Sequence, residues 1–74
     1  MELELIRTLD ESIALVDRLR AQLEADNDAI QHCIQGEVLI YYLRNNTKAM
    51  EILDEIRKQL VISRQEHEVA MILS

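Results

Sequence analysis

Gln35-Gly36-Glu37-Val38-Leu39-Ile40-Tyr41-Tyr42-Leu43 holds the only glycine of a 74-residue chain without proline, followed at once by the densest apolar run. Glycine adopts a left-handed backbone without a side-chain clash and is favoured just past a helix C-terminus. Gly36 is therefore predicted to end one helix in the left-handed conformation and to let a second begin. Outward from it, apolar residues recur at alternating steps of three and four on both sides. That period marks helices with one buried stripe.

Before the glycine the stripe reads Ile6, Leu9, Ile13, Val16, Arg20, Leu23, Asn27, Ile30, Ile34. With Ile6 at heptad position a and Leu9 at d, it runs in phase to the turn, as in a coiled coil. Leu5, Leu19 and Cys33 fall at g and widen it, which suits a bundle better than an isolated two-stranded coil. After the glycine it reads Leu39, Tyr42, Asn46, Ala49, Leu53, Ile56, Leu60, Ser63, His67, Ala70. Asp26-Asn27-Asp28 and Asn45-Asn46-Thr47 resemble loops, and Asp28 or Thr47 could cap a further helix, giving a three-helix bundle. The heptad passes through both in phase, which favours two continuous helices.

Folding at Gly36 brings Asn27, nine residues before it, level with Asn46, ten residues after it. A buried amide is costly unless paired, and two facing amides satisfy each other. The same fold sets Ile34 near Leu39, Ile13 near Leu60 and Ile6 near His67. Arg20 is left opposite the turn from Leu53 to Ile56, where it must reach solvent or an acid of another chain. Arg20, Asn27, Asn46 and His67 are thus the expected register-setting polar residues. The predicted architecture is an all-α antiparallel hairpin of one domain over residues 1–74, with helices at 3–34 and 38–72, dimerising into a four-helix bundle. The alternative to folding is a single rod about 110 Å long at 1.5 Å per residue.

Composition narrows the function. Phe and Trp are absent and the aromatics are two tyrosines, so the core must be aliphatic. Residues 1–37 carry nine acids against Arg7, Arg18 and Arg20, and so hold the whole net charge of −6, while residues 38–74 balance. Such a surface disfavours direct nucleic-acid binding. No stretch approaches the roughly 20 apolar residues of a membrane span, and Met1-Glu2-Leu3-Glu4 is acidic where a secretory signal is basic. A soluble, cytoplasmic protein is expected.

Sites of chemistry are scarce. His32, Cys33 and His67 are the only soft ligands, and adjacent helical residues diverge by about 100 degrees, so no metal site is expected. Cys33 reads as a small buried thiol. Glu51, Asp54 and Glu55 read as solvated, with Asp54 and Lys58 placed as an i,i+4 surface pair. One glycine cannot build a phosphate loop. A helix-turn-helix starting at Lys48 would bring Glu51, Asp54 and Glu55 towards phosphate.

Apolar residues outside the stripe point to a partner. Ile40, Tyr41, Val61, Ile62 and Val69 occupy positions b and c of the second helix, and Leu15 is similarly placed on the first. Val61, Ile62, Val69 and Leu15 are expected to form one patch. The predicted function is a non-enzymatic protein-interaction module, such as a small adaptor, chaperone or inhibitor, that binds itself and another protein without cofactor or membrane. The alternative is an acidic regulator or nucleic-acid mimic that occupies a basic surface of its partner.

Overall fold

The computed structural model describes Met1–Ser74 and is an antiparallel pair of long helices, α1 (Glu2–Cys33) and α2 (Glu37–Leu73). Both ends fall within one residue of the bounds read from the sequence. Of 65 backbone hydrogen bonds, 61 lie inside the helices, so nearly all backbone order is helical ladder. Glu2 and Glu4 occupy the first turn of α1 and His32 its last, each suited to the sign of the helix dipole there.

Neither apparent loop interrupts its helix, so the three-helix arrangement is not adopted. Neither candidate cap, Asp28 or Thr47, makes a side-chain hydrogen bond, and neighbouring side chains of both segments are engaged away from the backbone. Gln22 Nε2 donates to Asp26 Oδ1 at 2.9 Å, one turn back along α1. Asn46 Nδ2 donates to Asn27 Oδ1 at 2.6 Å across the hairpin, the pairing expected from their distances to the glycine. Asn27 and Asn46 face inward and satisfy each other.

The turn corrects the role expected of Gly36. The helix ends at Cys33, and Ile34 is extended at φ −128°, ψ 142°, with its N–H donating to Ile30 O at 2.9 Å. Gly36 is the N-cap of α2, at φ 80°, ψ −150°, not a left-handed residue closing α1. That region is open essentially to glycine alone. A Cβ built there would touch nothing within 4 Å, so the requirement is one of backbone angle, not of space. A three-residue connection turns the chain because one extended residue and one mirror-image residue reverse its direction.

The hairpin measures 57 × 15 × 12 Å with a radius of gyration of 16.9 Å. A compact globule of this length would have a radius near ~11 Å. Little of it is shielded from water. Only Ile6 (7% exposed) and Val16 (8%) are buried, and both lie on the α1 stripe. Every other member of that stripe is half-covered.

On α2 the seam is turned from the one expected. Position a is half-covered throughout, but at d Tyr42, Ile56 and Ala70 are exposed and only Ala49 and Ser63 half-covered, while at e Leu43, Met50 and Arg64 are half-covered and Arg57 and Met71 exposed. The cause is a set of ion pairs along the e side, described next, which holds the two helices together on one flank and leaves the other open.

Candidate interaction surface

The hairpin has two unlike flanks. On the e flank, α1 presents Asp10, Asp17 and Glu24 at seven-residue spacing, and α2 presents Arg57 and Arg64 at the same spacing. Arg57 Nε donates to Asp17 Oδ1 at 2.8 Å. Arg64 Nε donates to Asp10 Oδ1 at 2.5 Å, with Nη2 3.4 Å from Oδ2, and its Nη1 pairs with Glu68. Arg20 grips Asp54 in the same forked manner, Nε to Oδ1 at 2.7 Å and Nη2 to Oδ2 at 3.4 Å, and its Nη1 pairs with Glu24.

Arg20 therefore finds its acid within its own chain, neither solvent alone nor a second subunit. Asp54 serves Arg20 across the hairpin and forms no ion pair with Lys58. The guanidinium of Arg20 is held above its ordinary pKa, first by the hydrogen bond to Asp54 and then by the charge of that carboxylate. Arg64 is raised in the same direction, first by its hydrogen bond to Asp10 and then by the one to Glu68. A raised pKa favours the protonated form in the folded state, so both guanidiniums stay charged at every pH below the arginine range. All the pairs are partly exposed, so they set geometry and register more than stability.

At the open end, His67 Nδ1 lies 2.7 Å from Glu2 Oε2, with both side chains half-exposed. Of the four polar stripe residues, Asn27 and Asn46 face each other inside the seam. Arg20 and His67 reach to acids at its margin.

The opposite flank, formed by positions g, c and d of both helices, is open and carries much of the exposed apolar surface, interrupted by Asp26, Lys48, Glu55, Gln59 and Glu66. Leu5, Leu15 and Leu19 of α1 lie on it, as do Ile52, Ile56, Ile62 and Val69 of α2. Ile52 is 61% exposed and Val69 53%. Of the nine acids in the first half of the chain, only Glu2 at d and Asp26 at g fall on this flank. Near its middle, Leu19, Gln22, Leu23, Ala49, Ile52 and Leu53 enclose a groove of about 370 Å³. It exists because Ala49 is too short to fill the space between Leu19 and Ile52.

The patch expected from the sequence is divided by this geometry. Leu15, Ile62 and Val69 share the open flank with Tyr41, which is 66% exposed near the turn. Val61 is half-covered and stands in the seven-residue row of Asp54 and Glu68, on the ion-paired side. Ile40 is exposed in that same row. Successive helical residues diverge by about 100 degrees, which sets Val61 towards the ion-paired side and Ile62 towards the open flank.

Leu19, Ile52 and Ile56 are the residues that the sequence reading left out of the patch. The signal was present, because Leu5, Leu19 and Cys33 at g on α1 have counterparts in Val38 and Ile52 at g on α2. Cys33 is exposed, not buried. It is the last residue of α1, where the two helices separate to make the turn. No group of three His, Cys, Asp or Glu residues is placed to share a metal ion, and no helix is long and apolar enough to cross a membrane. Comparison with protein-family models, with curated proteins and with solved structures gives no match, so the reading of function rests on this surface.

Proposed function

We propose that the hairpin is a non-enzymatic protein-interaction module that packs its apolar flank on other helices and closes a four-helix bundle as a homodimer. The observation that carries this reading is the separation of the two flanks. Leu5, Leu19, Ile52, Ile56, Ile62 and Val69 line one side, while the interhelical ion pairs line the other. With two buried residues in the whole chain, a lone hairpin has almost no core. Small helical units gain one by association.

The alternative of an acidic mimic has less support. Asp10, Asp17, Glu24, Asp54 and Glu68 are bound to arginines of the same chain, so they are not free to match the charges of phosphate. Salt separates the two readings. Association through the apolar flank is expected to persist, or to tighten, between 0.1 M and about 1 M NaCl, because exposed charges are screened at that strength and apolar burial is not. Sedimentation equilibrium across that range checks it. A self-association that disappears at high salt would contradict the apolar reading.

A further inference from the structure

We infer that the occupant of the apolar flank is a second copy of this chain, docked face to face with the two turns at opposite ends of the bundle. This rests on the interaction-module reading above and specifies the arrangement within it. The flank runs the length of a broad face 57 Å long and 15 Å across, large enough to bury roughly 800 Å² per copy. That is about what each partner contributes to a stable interface of standard size.

The direction follows from which residues come level. A two-fold axis across the middle of the hairpin lays α1 antiparallel on the other α1 and α2 on the other α2, so that each contact occurs twice. Leu15 then meets Leu19 of the second copy, and Ile52 meets its Ile62. Tyr41 beside the turn meets Leu73 at the open end, which joins two strongly exposed apolar sites, 66% and 81%. Lys48 meets Glu66, and neither of them has an ion-pair partner within its own chain. Glu55 meets Gln59, and Asp26 meets Thr8, so no acid faces an acid.

With the turns at the same end, α1 would lie on α2 of the second copy at its own level. Leu19 would then meet Glu55, leaving a carboxylate against the groove formed by Leu19, Leu23, Ala49 and Ile52. Thr8 would meet Glu66, Gln22 would meet Ile52 and Ser12 would meet Ile62, leaving Asp26 with Lys48, Leu5 with Val69 and Cys33 with Tyr41 as the complementary contacts. An interface that sets carboxylates against apolar side chains loses to one that pairs them. The opposite-end arrangement is therefore the self-complementary one.

Two measurements on the full chain test this, both by sedimentation equilibrium or its covalent equivalent. Lys48→Glu and Glu66→Lys are each expected to weaken the dimer ~10-fold, because two symmetric rim pairs become repulsive, and the double reversal should return affinity to within ~3-fold of the starting protein. In a Cys33→Ser background, Ile52→Cys with Ile62→Cys should form a covalent dimer on mild oxidation. Within one chain these positions are ~15 Å apart along the helix and cannot bridge. A dimer that shows neither the rescue nor the cross-link, or in which Asp26→Lys rescues Lys48→Glu instead, overturns the opposite-end arrangement while self-association stands. A single-chain mass at all concentrations overturns both.

Discussion

Ile52→Asp is expected to convert the protein to monomer while leaving the helical signal of each hairpin largely in place. Ile52 is 61% exposed in the single chain and borders the groove beside Ala49. Removing it therefore costs an isolated hairpin little, since surface substitutions are usually within about 0.5 kcal/mol. In the proposed dimer the same side chain is covered, and burying one of this size is worth about 1.5–3 kcal/mol. The position occurs twice per dimer, so the loss is about 3–6 kcal/mol. At 1.4 kcal/mol per tenfold, the dissociation constant should rise at least ~100-fold. Sedimentation equilibrium reads this directly, and the melting temperature should become lower and independent of concentration. A variant as dimeric and as stable as the original protein would make this flank ordinary surface.

The second large effect concerns the amide pair. Asn27→Ala removes the acceptor of the 2.6 Å bond and leaves the Asn46 amide in the seam without its partner. An unsatisfied polar group of this kind costs about 1–3 kcal/mol, and the half-covered position places the expected loss in the lower part of that range. Asn46→Ala should cost a similar amount. Replacing both with leucine removes the two polar groups together and should restore stability to the original level or above it. Urea denaturation of the original protein, the two alanine variants and the double alanine variant forms a double-mutant cycle, with an expected coupling of at least about 0.5 kcal/mol. Single losses that simply add would show that the two amides do not depend on each other. The leucine pair should also make the register less strict, because apolar side chains tolerate slippage that a paired amide penalises.

Two continuous helices and the level of Asn27 with Asn46 were legible because both depend only on counting along a regular period. The heptad passes through Asp26-Asn27-Asp28 and Asn45-Asn46-Thr47 without a skip, and helical geometry converts that count into position. What depended on rotation about the helix axes was not legible. The α2 seam is turned away from Tyr42 and Ile56 towards Leu43 and Met50, because ion pairs hold the e flank closed. A stripe of alternating threes and fours cannot reveal that shift by itself. The seven-residue spacing of Asp10, Asp17 and Glu24 opposite Arg57 and Arg64 would have revealed it.

Two further residues show the same limit. Gly36 announces a turn, but glycine enters several positive-φ regions, and the sequence does not distinguish a left-handed cap from the extended mirror-image conformation that it adopts. Val61 and Ile62 are adjacent and equally apolar, yet one stands on the ion-paired side and the other on the open one. The 100-degree step between neighbours separates them, and adjacency in sequence does not show on which side of the helix each one stands.

The central claim is that the flank bearing Ile52, Ile56 and Ile62 is covered by protein while Ile40, on the ion-paired side near the turn, stays in water. Isoleucine methyl groups report on both in one sample. With the δ1 methyls labelled and a soluble paramagnetic probe added at concentrations where the protein associates, Ile52, Ile56 and Ile62 are expected to be shielded nearly as well as the buried Ile6. Ile40 should be strongly broadened. Equal broadening of Ile52, Ile62 and Ile40 would contradict the account.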